Sequence, residues 1–270
     1  MKRSPFRKGK ADLRVVAAAT TTEIMLYDEI SWWGITAEMF KHELDAISTP
    51  NIDLRINSPG GDVFDSLAIY NALREHPAKI TTHIDGVAAS MASVIAMAGD
   101  ETHMAENAFL MIHDPWALVI GNAVDLRKEA DLLDKVSGSL VMAYEEKTGK
   151  TTEQIQAWMA EETWFTAAEA SEAGFVDEVI GAETEEPAKL AASFDLSIFA
   201  HVPDVLAQAE PEEPTIRDLE RALRDAGLSQ IAAKQYIAAG RAAASPRDAE
   251  EAGERDVTPE PVQKFDLTAI

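Results

Sequence analysis

Cysteine is absent from all 270 residues. That excludes disulfides, thiolate metal sites and a cysteine nucleophile, so any covalent catalysis must use another group. Positive charge is scarce: 24 Lys and Arg stand against 47 Asp and Glu, a formal net charge of −23. So acidic a chain repels phosphate backbones, which argues against nucleic-acid binding through a basic surface and favours solubility. No apolar run approaches a membrane span, and the basic start lacks the apolar segment of a secretory signal. The expectation is a soluble cytoplasmic protein with no membrane partner. Phosphate-binding glycine motifs are also missing: neither Gly-x-x-x-x-Gly-Lys nor Gly-x-Gly-x-x-Gly occurs, which leaves nucleotide binding unsupported.

What is present divides into three parts. Residues 1–20 collect Lys2, Arg3, Arg7, Lys8, Lys10 and Arg14 against Asp12 alone, and read as a basic flexible segment. Residues 21–182 alternate short β-rich runs with helical ones, and a content of 46% hydrophobic residues is ample for a core. Strands are expected at 22–27, 52–56 and 79–84, with helices at 36–47, from Val63 to His76-Pro77, and from Ala88 to Ala98. This repeated order predicts an α/β fold with a mostly parallel sheet covered by helices. Leu126, Ala130, Leu133, Ser137, Leu140 and Tyr144 then mark the packing seam of a long helix that stops at Gly149. Thr151 with Gln154, and Thr166 with Glu169, read as capping boxes that start two more helices, the second ending at Gly174.

Residues 183–270 change to Glu, Ala and Pro. They read as a mostly disordered acidic extension with a small helical hairpin near 215–240, where Ile216, Leu219 and Leu223 share a face. A helix-turn-helix DNA reader is opposed by the acidic surroundings. A targeting or a solubilising role suits the extension equally.

Three stretches carry chemistry. In Ile56-Asn57-Ser58-Pro59-Gly60-Gly61 a glycine pair follows a strand; in Gly86-Val87-Ala88-Ala89-Ser90-Met91 a serine enters a helix; in Met111-Ile112-His113-Asp114-Pro115 a histidine leaves a strand. Alone, Ser90 reads as a helix cap and the glycine pair as a turn. At a helix N-terminus, however, an oxyanion beside Ser90 would meet unpaired amides and the positive end of the dipole. Ser93, one turn on, faces the helix interior. Histidine is the usual base for a serine, since its ordinary pKa lies near neutrality. Of the six histidines, His42 falls on an exposed helix, His76 before a proline, His83 inside a strand, His103 in a polar turn and His201 in the extension. Only His113 is delivered to a sheet edge by a buried strand, Phe109-Leu110-Met111-Ile112. Glu162 or Glu161, in a segment held by Trp164 and Phe165, is placed to orient its ring.

These residues resemble the ClpP family of serine peptidases. Asn57-Ser58-Pro59-Gly60-Gly61 is similar to that family's oxyanion strand, Ala88-Ala89-Ser90-Met91 to its nucleophile site, and Met111-Ile112-His113 to its histidine site. Phe165-Thr166-Ala167-Ala168-Glu169-Ala170 with Gly174-Phe175-Val176-Asp177 resembles its closing helix and strand. The likeness implies a ClpP/crotonase-like fold of repeated β-α units with a long packing helix. It implies a Ser90 nucleophile, a His113 base and oxyanion donors from the amides of Gly61 and Met91, with no metal or organic cofactor. Alignment through Ala167 to Asp177 puts Glu162 where the housekeeping enzymes carry aspartate; Glu161 remains the alternative. Met111-Ile112-His113-Asp114-Pro115-Trp116, Ala130 to Lys135 and Glu162 to Thr166 most resemble the phage-type head maturation proteases, which process capsid or scaffold proteins during prohead assembly. That would place the chain in host cytoplasm or inside the assembling prohead. The family fold implies homo-oligomeric rings, with the Leu126 to Tyr144 seam as a meeting surface. The axial-loop sequence of the housekeeping enzymes is not recognisable, which leaves docking to an unfoldase ATPase unsupported. Three rival readings stay open: a crotonase-like acyl-CoA enzyme, a signal peptide peptidase A type with a lysine base, and an assembly protein whose site has decayed.

Overall fold

Period-two alternation of buried and half-exposed residues in Thr21–Leu26, Asn51–Ser58 and Lys79–Ala89 builds the centre of the fold. The computed structural model describes residues 13–181, 194–207 and 234. The chain divides into two units, Met1–Pro211 and Glu212–Ile270, and all but Lys234 of what is described belongs to the first. The hairpin expected near 215–240 lies, apart from Lys234, outside the described residues.

The elements run β1 (Leu13–Ala17), β2 (Thr21–Leu26), α1 (Ala37–Asp45), β3 (Asn51–Ser58), α2 (Val63–Glu75), β4 (Lys79–Ala89), α3 (Met91–Ala96) and β5 (Glu101–Ala105). They continue with β6 (Phe109–Ile112), α4 (Ala123–Thr148), α5 (Thr152–Ala160), β7 (Thr163–Thr166), α6 (Ala167–Ala173), β8 (Glu178–Ile180) and α7 (Asp204–Ala207). The eight-stranded sheet has the order β1-β2-β3-β4-β5-β8, with β6 paired to β4 and β7 to β6. Pairing is parallel except at β1-β2 and β6-β7. The mixed α/β architecture read from the sequence is therefore the one observed.

One face of the sheet shares a core with the helices: Phe40 and Leu44 of α1, and Ile69 and Leu73 of α2, join Ile24, Leu54 and Ile84. The half-exposed face is polar. There Arg55 meets Asp85 at 2.5 Å and the Tyr27 hydroxyl donates to the same carboxylate at 2.5 Å. Burial and that carboxylate together raise the Tyr27 pKa.

β4 forks. Its first half, through Ile84, pairs with β5, whereas Val87, Ala88 and Ala89 pair with Phe109, Leu110 and Met111 of β6. The fork keeps Ala88 and Ala89 extended, so the expected Ala88 to Ala98 helix starts only at Met91 and has six residues. His103 lies in β5 and not in a turn, because Thr102 and Met104 are buried on either side of it. The basic start also yields to a strand: Leu13 and Val15 pack against the core, and β1 pairs with β2 from Leu13↔Leu26. Charge counting across residues 1–20 had hidden that alternation.

The long helix α4, 26 residues, is capped by Asn122 with Asp125 and stops at Gly149, which takes φ 65. Only its second half is core, through Val136, Leu140, Val141, Ala143 and Tyr144. Val124, Leu126 and Leu132 of its first half are exposed. The predicted seam is thus split between the chain's own core and open surface. No helix among the described residues is long and apolar enough to cross a membrane.

Residues 194–207 lie within the stretch read as a mostly disordered acidic extension, and they carry packing that its composition does not announce. Leu196, Phe199 and Leu206 are buried in a second apolar cluster with Val87, Ala89 and Met111. Acidic composition masked these widely spaced apolar anchors.

Tyr144, Trp158, Phe165 and Phe175 stack beneath β7, with Phe165 and Phe175 centroids 5.2 Å apart and Tyr144 edge-on to Phe175 at 5.7 Å. Phe175 is fully buried. Phe175→Ala should therefore cost about 3–5 kcal/mol by denaturant unfolding. A loss within ~1 kcal/mol would show that the β7 platform does not rest on this cluster.

Candidate active site

Ser90 occupies the turn between β4 and α3 with φ 54 and ψ −128, a conformation that residues with side chains rarely adopt. Several contacts hold it there. The Ser90 amide donates to Met111 O at 3.0 Å, extending the β4-β6 ladder by one step, and its carbonyl accepts from Ser93 N at 3.0 Å. Ser93 Oγ also donates to that carbonyl at 2.6 Å and lies 2.8 Å from the hydroxyl of buried Tyr144. Desolvation raises the Tyr144 pKa, which keeps this hydroxyl neutral. Ser90 makes no side-chain cap bond to α3. Its Oγ lies instead 2.8 Å from His113 Nε2.

The glycine-rich stretch fits against this turn. Asn57 Oδ1 accepts from Val87 N at 3.1 Å, bridging the register shift between Ile56 and Ser58. Ser58 Oγ donates to Asp28 O at 2.7 Å and accepts from Gly60 N at 3.1 Å. Gly60 is obligatory by close approach: with φ 88, a Cβ there would stand 2.6 Å from Ala89 O and 2.8 Å from Met91 N. At Gly61 (φ 142) a Cβ would fall 2.0 Å from Ile30 O. The glycine pair thus abuts the first amide of α3, a position whose N–H has no intrahelical acceptor. A Cβ at Gly60 would also stand 2.8 Å from Ser90 Cβ, so it is Gly60 that lies directly against the Ser90 turn. The sequence motif named Asn57 and Ser58 beside the glycines but not the role of their side chains, which pin the stretch in place.

His113 follows β6. Burial pushes its pKa below the ordinary imidazole value, while the charges of Glu162 and then Asp114 act in the opposite direction. Antiparallel pairing of Ile112 with Thr163 brings Glu162 opposite His113, one step beyond the end of the ladder. Glu161 caps the C-terminus of α5 and its side chain is exposed.

Glu162 nevertheless does not make the hydrogen bond expected of it. It sits at φ 49, and its carboxylate accepts from Ala200 N at 2.9 Å, His201 N at 2.6 Å and Trp164 Nε1 at 3.5 Å. The His113 ring meets the edge of Phe199 at a centroid separation of 5.6 Å. Asp114 accepts from Ser137 Oγ at 3.0 Å. His201 Nδ1 lies 2.9 Å from Glu161 O, and so holds residues 194–207 to the same corner. Of the other histidines, His83 pairs with Asp53 at 3.5 Å and His103 with Glu101 at 3.5 Å. Among the described residues, no group of three His, Asp or Glu is gathered in a way that could hold a metal ion.

A family model described as Clp protease matches residues 10–183. The chain is 38% identical over 139 residues to the ATP-dependent Clp protease proteolytic subunit 1 of Corynebacterium jeikeium, covering 51% of this chain and 74% of that protein. It is 36% identical over 134 residues to subunit 2 of Mycolicibacterium paratuberculosis, covering 49% and 67%. With subunit 3 of Streptomyces coelicolor it shares 34% identity over 171 residues, 63% of this chain and 76% of the relative.

Neutral imidazole is the form that can take a proton from Ser90, and burial favours that form. Labelling of Ser90 by a fluorophosphonate should hold its rate above the His113 pKa and lose it as pH falls through that value, with a midpoint below 6.5. Because Glu162 works upward on this pKa, Glu162→Gln should move the midpoint further toward acid. Movement toward alkali would contradict the electrostatic reading.

Proposed function

The chain belongs to the Clp protease family, and we propose that it cleaves capsid or scaffold proteins through a Ser90, His113 and Glu162 triad during assembly of a viral shell. ClpP-type serine protease function follows from the family. The observation that best supports these residue roles is the 2.8 Å separation of Ser90 Oγ and His113 Nε2 at the end of a shared ladder.

In this mechanism, the Ser90 hydroxyl passes its proton to His113 Nε2 as Oγ bonds to the scissile carbonyl carbon. The carbonyl oxygen takes up the electron pair and is held by the amides of Gly61 and Met91. Collapse breaks the C–N bond, and the imidazolium gives its proton to the departing amine. Water, deprotonated by His113, then attacks the acyl-enzyme and releases Ser90. Glu162, turned toward Nδ1, fixes the ring tautomer and steadies the imidazolium charge.

The shell-protein substrate rests on the likeness of Met111 to Trp116 and Glu162 to Thr166 to head maturation proteases. The named relatives are ATP-dependent; no axial-loop sequence supports that dependence here. Ring assembly is favoured by the exposed Val124, Leu126 and Leu132 on α4, with Trp116, Leu118 and Ile120 in the segment before it. Such rings would work in the cytoplasm or within a forming shell.

Ser90→Ala and His113→Ala should each lower peptide turnover by about 10⁴- to 10⁶-fold, because triad members act as a unit. Near-normal turnover in His113→Ala would favour a lysine-base peptidase; thioester turnover without Ser90 labelling would favour the crotonase reading. Mass spectrometry of shell proteins incubated with the enzyme should show Ser90-dependent fragments. Their absence, with cleavage of other substrates intact, would remove the shell-protein assignment.

A further inference from the structure

The second apolar cluster adjoins the proposed triad. Ala89 immediately precedes Ser90, and Met111 lies two residues before His113; both are covered by Leu196, Phe199 and Leu206. Phe199, only 7% exposed, also stands edge-on to His113 at 5.6 Å and to Trp164 at 5.8 Å. Next to it, the amides of Ala200 and His201 occupy both oxygens of the Glu162 carboxylate. Hydrogen bonds from amides to a charged acceptor are among the stronger ones, and two of them from adjacent residues fix the carboxylate's direction. Glu162 is held in a left-handed conformation, φ 49, while it makes them.

We propose that residues 194–207 form an inhibitory cover, with Glu162 as its latch. The cover seats its apolar side chains on the surface beside Ser90 and keeps the carboxylate turned from the His113 ring. A substrate chain has to displace it. Once the Ala200 and His201 amides leave, the carboxylate loses its donors and the imidazole Nδ1 becomes its nearest replacement. Uncovering the cleft and completing the triad are then a single event, in which the free energy of substrate binding is coupled to the orientation of the catalytic base. The inference rests on the triad assigned above, and gives Glu162 a second set of partners that the triad alone does not require.

The test uses the full chain. Phe199→Ala combined with Leu206→Ala should raise kcat/KM on a short peptide by about tenfold, within the usual range for coupled sites. Glu162→Gln should lower turnover in both chains, but by a smaller factor in the wild type, where it also loosens the latch, than in the uncovered variant; a purely structural role for residues 194–207 would not produce that non-additivity. A second measurement needs no substitution: hydrogen exchange on the wild type with and without a peptide boronate that engages Ser90. Amides of residues 196–206 should exchange faster in the bound form. Equal or slower exchange there, or a folded double variant with unchanged turnover, overturns the cover. Absence of Ser90-dependent turnover and boronate binding in every form overturns the triad assignment together with it.

Discussion

The hydrogen bond from the Ser90 amide to the Met111 carbonyl, 3.0 Å long, is the contact on which the geometry of the site depends. It is the last rung joining β4 to β6, after Val87↔Phe109, Ala88↔Leu110 and Ala89↔Met111. A parallel ladder fixes the relative height of its strands, so ending both at this level brings the serine and the histidine side by side. Gly60 admits the neighbouring turn at van der Waals distance, and the Ser93 and Tyr144 hydroxyls hold the Ser90 carbonyl from below. The strained φ of Ser90 persists because these contacts over-determine it.

The third member of the constellation is governed differently. Ser90 and His113 are set by a parallel ladder inside the core, whereas Glu162 stands where the short β6-β7 hairpin runs out. Backbone pairing brings it opposite His113 but leaves its side chain to choose among nearby donors. Those donors are the Ala200 and His201 amides, contributed by a segment attached through an apolar cluster and the His201 contact with Glu161 O. Under the proposed triad, fixed placement of Ser90 and His113 with a choice of partners left to Glu162 suits an enzyme whose activity waits for its substrate.

Much of this was legible in the residues. Alternation in Thr22 to Tyr27 and Ile52 to Ile56 announced the central strands, and Asn57 to Gly61, Ser90 and His113 announced the site, since close backbone approach restricts such positions to few residue types. Less legible was whatever depends on tertiary pairing. Ala88 and Ala89 suit a helix locally, yet β6 holds them extended; His103 looked polar enough for a turn, yet both neighbours are buried. Leu13 and Val15 were hidden among basic residues, and Leu196, Phe199 and Leu206 among acidic ones. Steps of three and seven would suit a helix, yet among residues 194–207 only Asp204–Ala207 is helical, and the segment is held by packing onto Val87, Ala89 and Met111.

The central claim is that the Ser90 hydroxyl and the His113 imidazole act as one chemical unit. A peptide chloromethyl ketone tests it directly, since its ketone forms a hemiketal with an activated serine and the adjacent imidazole nitrogen then displaces chloride from its methylene carbon. Mass mapping of the product should locate alkylation at His113 in the native chain and find none in Ser90→Ala. Alkylation of His113 that is indifferent to Ser90, or modification confined to other histidines, would contradict the account.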